Sequence, residues 1–425
     1  MRFFPVKIKL FFIAVLLNFA VQPSYSLTLD EAISLAKETL PSYKASHLRV
    51  KSTEALYNAS LSPYLPRLDA SAYYQRLFTS SNEYNTRIHD LTLSYNLFDW
   101  GNRKANRNIA RLNLDISKED LRRSLLDLEF EVKLAYYTAI AMRETIEHRK
   151  IQLRDAQKDF EVADGRYKFG VAKLSDVLHA SVRLEQAKFN LVQAEGDHLK
   201  ALSELNSLIG KSLDSTYIIE GRLDLEVPVP DIERISKAAL QRPEIKQAED
   251  FLKISENNKS AILSSFFPAF SVGAAYTKTG GDTLRSSFSE EKTAFIAATW
   301  NIFELGKFFN LRSSKMEIQV SIENLDELKR QLLLDVYKTY EDFITALNKL
   351  SVAKQQLEQA EHNYSEAFAE YKVGKADILS LVQAESLLAN AREQLINSRL
   401  NIILSKSLLE RVAGVKSLEL FQVKN

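Results

Sequence analysis

The chain has 425 residues, 56 Lys and Arg against 55 Asp and Glu, a formal net charge of +1 and no cysteine. Near-neutrality makes it a poor nucleic-acid binder, and the lack of thiols excludes disulfides, thiolate metal sites and an N-terminal lipid-bearing cysteine. Only 12 Gly and 9 Pro interrupt tracts of Leu, Ala, Glu, Lys, Gln and Arg, a composition that favours long helices.

Arg2, Lys7 and Lys9 precede an apolar run from Leu10 to Ala20, and Ser24-Tyr25-Ser26 then offers small residues, Ser24 and Ser26, where a signal peptidase would cut. Residues 1–26 are therefore read as a removable export signal, because about 11 apolar residues fall short of the roughly 20 that span a bilayer. The chain from Leu27 onward carries a net charge of −2 once those three cations are gone. From Leu27 onward charged residues recur too often for any window of about 20 to be apolar, so any passage through a membrane must use β-strands.

From Leu29 to Leu61 the pattern predicts helix with a weak break at Pro41, ended by Pro63 and Pro66. A strand follows, with Leu68, Ala70, Ala72 and Tyr74 on one face and Asp69, Ser71 and Gln75 on the other. After a polar loop from Thr79 to Arg87, strict alternation sets Leu91, Leu93, Tyr95 and Leu97 against Thr92, Ser94 and Asn96. A helix is predicted from Asn102 to Asp164, on the order of 95 Å long, and Leu125, Leu128, Val132, Ala135, Ala139, Met142 and Ile146 form a heptad seam along it. A turn at Arg166-Tyr167-Lys168-Phe169-Gly170-Val171 leads into a further helix that Gly210 caps. Residues 205–212 resemble the end of a phosphate-binding loop but put Leu205 where glycine is required.

The chain is then written a second time, with local patterns recurring about 202 to 205 residues later in the same order. Leu61-Ser62-Pro63-Tyr64-Leu65-Pro66 is answered by Leu263-Ser264-Ser265-Phe266-Phe267-Pro268, and Asn96-Leu97-Phe98-Asp99-Trp100-Gly101 by Asn301-Ile302-Phe303-Glu304-Leu305-Gly306. The Arg166–Gly170 turn is answered by Glu370-Tyr371-Lys372-Val373-Gly374, and Leu208-Ile209-Gly210 by Val412-Ala413-Gly414. Gly221, Pro228 and Pro230 mark the boundary as a linker. The expected organisation is a signal at 1–26, a first repeat at 27–210, a linker at 211–231 and a second repeat at 232–425. In the second repeat Phe270, Val272, Ala274 and Tyr276 form one apolar face and Ile296, Ala298, Trp300 and Ile302 another, joined by a polar loop from Lys278 to Lys292. Leu333, Val336, Tyr340, Phe343, Leu347 and Leu350 continue the heptad seam.

The fold class is α+β, and the strands cannot stand alone in lipid, where each unpaired edge group costs several kcal/mol. A closed barrel needs at least about eight strands, so a protomer with four must assemble: two copies give eight, three give twelve. Polar inward faces suit a water-filled lumen and favour three. Leu91, Leu93, Tyr95, Leu97, Ile296, Trp300 and Ile302 then face lipid. Strands of a soluble sheet alternate in the same way, and a soluble periplasmic coiled-coil adaptor shares the signal and the heptads, but neither reading needs a duplicated chain with two apolar-faced strand pairs.

The strand-to-helix exits Asn96–Gly101 and Asn301–Gly306, with the turns Arg166–Val171 and Glu370–Lys375, resemble those of the TolC-type outer-membrane factors over the whole mature chain. The resemblance implies a homotrimer with one twelve-stranded outer-membrane barrel and a twelve-helix periplasmic tunnel. It implies passive conduction of substrate received from an inner-membrane pump through an adaptor, with no covalent chemistry and no cofactor. It assigns adaptor docking to Arg166, Tyr167, Gly170, Val171, Tyr371, Lys372, Gly374 and Lys375. It places the periplasmic mouth at Asp176, His179, Asp377, Ser380 and Gln383, where Ser380 and Gln383 replace carboxylates that ring the entrance in the best-known members. Three copies of Asp176 would favour cations; as a helix N-cap or first-turn acid, with Ser175 sharing the role, Asp176 would also stabilise the helix start. The six histidines include no i, i+4 pair, and no convergent polar constellation points to an enzyme.

Overall fold

The computed structural model describes residues 26–80, 83–224, 228–281 and 289–421, so most of the predicted export signal lies outside the described residues. Ser26 already belongs to the fold, one residue before the expected start at Leu27. Strand β1 (Ser26–Leu27) runs parallel to β4 (Ile218–Ile219) of the linker. Between them lies the first repeat. Helix α1 (Leu29–Thr39) opens on a reciprocal cap in which Thr28 Oγ1 accepts from Glu31 N at 3.3 Å and Glu31 Oε2 from Thr28 N at 3.0 Å. The weak break expected at Pro41 is a full division into two helices, and α2 (Pro41–Ala59) starts on that proline.

Strands β2 (Arg67–Phe78) and β3 (Glu83–Phe98) follow, then α3 (Asn102–Lys168) and α4 (Leu174–Ile209). The second repeat supplies α5 (Ile232–Ala239), α6 (Pro243–Ser264), β5 (Ala269–Gly281), β6 (Ser289–Thr299), α7 (Leu305–Val373) and α8 (Ile378–Ala413). The long helices match, at 67 and 69 residues, or about 100 Å each. Among the described residues no helix is long and apolar enough to cross a membrane.

The strands form one antiparallel sheet in the order β2-β3-β5-β6, so the two repeats join through β3 and β5. The pairs Leu68–Leu93, Leu93–Ala274 and Ala274–Ala294 put Leu91, Leu93, Tyr95, Val272, Tyr276 and Ile296 on one face. Two expectations need correction. The predicted loops Thr79–Arg87 and Lys278–Lys292 are strand at their flanks, because β3 starts at Glu83, β5 runs to Gly281 and β6 starts at Ser289; residues 81–82 and 282–288 lie outside the described residues. Polar residues occupy both faces there, so no alternation marks the strand. Trp300 and Ile302 lie past the end of β6, and Trp300 Nε1 donates to the Phe266 carbonyl at 3.0 Å. In the first repeat Trp100, which aligns with Leu305 rather than with Trp300, donates to the Pro268 carbonyl at 2.9 Å and stacks on Phe267. These rings form an aromatic collar where sheet meets helices, and Leu97 sits in β3 at an irregularity between Asn96 and Phe98.

Two cores hold the waist of the protomer. In one, Leu27 and Ala36 pack against Val132, Ala139 and Ile140 of α3, Leu205 of α4 and Ile219 of the linker; in the other, Ile235 and Ile245 pack against Val336 and Phe343 of α7 and Leu409 of α8. Burial of each valine, leucine, isoleucine or phenylalanine among them contributes roughly 1.5–3 kcal/mol. The linker is tied down as well: the Tyr136 hydroxyl lies 2.9 Å from the Leu27 carbonyl and 2.6 Å from that of Glu220, and Arg143 donates to the Ile219 and Gly221 carbonyls. From the waist toward the turns, buried alanines recur every seven residues at Ala201, Ala194, Ala187 and Ala180 of α4 and at Ala346, Ala353, Ala360 and Ala367 of α7. A strict seven-residue repeat imposes a left-handed supercoil, and small side chains bring the rods close.

Candidate functional site

At the far end from the sheet, α3 turns into α4 and α7 into α8. Gly170 and Gly374 take φ of 73° and 82°, left-handed conformations that glycine adopts without strain. Phe169, 86% exposed, forms an apolar crown with Val171, Leu174, Val373 and Leu379. Of these only Val171 was among the expected docking residues. Tyr167, Gly170, Lys372, Gly374 and Lys375 are also exposed.

Arg166 and Tyr371, expected at the docking surface, are used inside the protomer. Tyr371 is only 1% exposed, and the Arg166 guanidinium lies over its ring, 4.7 Å from the centroid. Arg166 also donates to the Tyr371 carbonyl and, at 3.4 Å, to that of Val171. One side chain therefore clasps both turns. Burial, then the charge of Asp176, raises the Tyr371 hydroxyl pKa.

The expected mouth residues divide by role. Asp377 is the N-cap of α8, its Oδ1 accepting from Ser380 N at 2.9 Å and Ser380 Oγ at 2.8 Å. Those bonds hold its pKa below the ordinary carboxylate value. The N-cap of α4 is Lys173, which has no side-chain acceptor, so Asp176 is a first-turn acid that accepts from Ser175 Oγ at 3.3 Å. His179, Ser380 and Gln383 are exposed. Counted from the turn glycines, Asp176 matches Ser380 and His179 matches Gln383.

Above the turns, polar ties cross from the α3–α4 hairpin to the α7–α8 hairpin. Arg149 pairs with Glu393 at 2.8 Å and Asp155 with Arg392 at 3.4 Å. Arg183 pairs with Glu385 at 3.5 Å and donates to the Val382 carbonyl at 3.0 Å and to Ser386 Oγ. Tyr364 donates to Asp159 Oδ1 at 3.1 Å. Sequence reasoning missed this layer, because paired charges on a long helix read as solvated. Among the described residues no group of three or more His, Asp or Glu could hold a metal ion.

A duplicated chain that joins one four-stranded sheet to helices of about 100 Å is the protomer of a membrane-and-tunnel channel. The chain belongs to the outer membrane efflux protein family, whose pattern matches residues 32–211 and again 234–415. Protein CyaE of Bordetella pertussis is 24% identical over 378 residues, covering 87% of this chain and 80% of that protein. The pyoverdine export outer membrane protein OpmQ of Pseudomonas aeruginosa is 23% identical over 393 residues, covering 88% and 82%. The fold is that of the transmembrane channel CusC, with a TM-score of 0.80 at 19% identity over 91% of this chain and 92% of that one. The chain is thus an outer-membrane channel component of an efflux or secretion system, and the soluble-adaptor reading falls away.

Proposed function

We propose that three copies close into a twelve-stranded barrel above a twelve-helix tunnel, a passive conduit from the periplasm to the exterior with no covalent chemistry. The observation that carries this is the open protomer. Strands β2 and β6 each leave an edge unpaired, and lipid tolerates no unpaired edge. The helices are open too: α4 exposes Leu178, Val182, Phe189, Val192 and Leu199, and α7 exposes Val320, Leu334, Tyr337 and Val352. Apolar flanks of this extent fit further copies of the chain.

In that assembly the crown of Phe169, Val171, Leu174, Val373 and Leu379, with Tyr167, Lys372 and Lys375, docks a periplasmic adaptor that brings an inner-membrane pump. Asp176, His179, Ser380 and Gln383 line the mouth, and three Asp176 carboxylates set a preference for cations. The test is conductance of the purified mature protein in a planar bilayer under a salt gradient, for wild type and Asp176→Ala. The expected result is discrete pores whose cation preference drops in the variant. Unchanged selectivity would move the filter away from Asp176, and inserted protein without pores at any voltage would overturn the conduit.

A further inference from the structure

Asp159 lies 11 residues before Gly170, and Glu385 lies 11 residues after Gly374. Both therefore sit at one depth, about 16 Å above the turns, and both side chains are buried, each residue 5% exposed. The charges in this layer can be followed element by element. From α3 come Asp155, Asp159 and the exposed Lys158; from α4, Arg183; from α7, Tyr364 and, nearer the turn, Tyr371; from α8, Glu385 and Arg392. Arg183 serves Glu385 and Arg392 serves Asp155. Asp159 is left over. Its Oδ1 accepts from the Tyr364 hydroxyl, and its Oδ2 is buried without a hydrogen-bond partner. A charged carboxylate in that position is an uncompensated buried anion beside another one, whereas a protonated carboxyl is tolerated.

We infer that Asp159 is a proton-dependent latch: the two hairpins of a protomer seat against each other while its carboxyl holds a proton, and loosen when the proton leaves. That loosening controls the mouth rests on the channel reading above; the latch itself does not. Burial and then the Glu385 charge raise the Asp159 pKa from 3.8 to about 7, with the Tyr364 hydrogen bond opposing them. The direction follows by linkage. Seated hairpins bind the proton more tightly than separated ones, so the seat is firmest below the ordinary carboxylate pKa. It weakens as pH rises toward about 7 and changes no further above that.

Amide exchange of residues 155–166 and 360–371 in the assembled protein tests the latch, corrected for the intrinsic pH dependence and run from about pH 5 to 8. Wild type should lose protection about tenfold per pH unit up to about pH 7 and then level off. Asp159→Asn should remove that tenfold-per-unit dependence, and Tyr364→Phe, which loses the opposing hydrogen bond, should move the plateau to higher pH. A wild-type profile without a slope, or the same slope in Asp159→Asn, would overturn the latch; if Asp159→Asn fails to fold, an unmoved plateau in Tyr364→Phe does so instead. Conductance over the same pH range separates the two readings: an exchange slope in protein that forms no pores would support the latch and tell against the channel.

Discussion

Tyr167 and Tyr371 occupy equivalent places in nearly the same local sequence, yet one is exposed and the other is buried under Arg166. The one local difference is that Arg166 precedes Tyr167 whereas Glu370 precedes Tyr371, so only the first turn supplies a guanidinium to cover the other's ring, and that contact across hairpins is not written in either turn alone. The turn glycines, by contrast, were legible as turn punctuation. They should respond unequally to alanine. Each variant bears the left-handed backbone cost of about 1–2 kcal/mol, but the added Cβ at Gly374 also meets Arg166 at 3.3 Å, while at Gly170 it meets nothing within 4 Å. Thermal unfolding should therefore rank Gly374→Ala below Gly170→Ala, and equal melting would show that the clasp yields freely. Asp377→Ala should fray the first turn of α8, seen as faster exchange near Ser380. Because the folded-state pKa of Asp377 is depressed, its contribution exists above the ordinary carboxylate pKa and is lost as pH falls through the depressed value. The variant and wild type should then converge in acid.

At the scale of elements, the sequence marked the helices well and the strands only where one face is apolar. Alternation identified Leu91 to Leu97 within a strand that starts at Glu83, since the outer part is polar on both faces and carries no period-2 signal. The helical seams were followed through large side chains such as Val132 and Phe343. The alanine series went unseen, because alanine is abundant in any helix and only burial singles out these positions. Their packing makes them sensitive to added volume: Ala194→Leu or Ala360→Leu should cost about 1–3 kcal/mol, against within about 0.5 kcal/mol for the exposed neighbour Glu195→Leu. Thermal unfolding checks this, and equal melting of Ala194→Leu and Glu195→Leu would mean the rods are not closely packed at that level.

For the whole molecule, the duplication read from four recurring patterns corresponds to two repeats joined in one sheet, and the family pattern itself matches twice. What the sequence withheld was how the linker returns to β1 and fastens the waist, because two paired residues on each side are too short to announce a strand. Assembly through the open flanks has its own test. Phe189→Glu with Val192→Glu changes two exposed positions of α4, so each protomer should keep its helical content while the oligomer falls apart in light scattering; a stable oligomer would place the contact elsewhere. The fastening at Tyr136 and Arg143 also has a mechanical meaning. From Tyr136 to Lys168 helix α3 runs on for about 48 Å, and if the tied waist is its fulcrum, the helix is a lever. A tilt of about 5° at the fulcrum displaces the tip by about 4 Å over that length. Angular changes too small to disturb the packed waist are thus enough to shift the turns by more than the width of a water molecule.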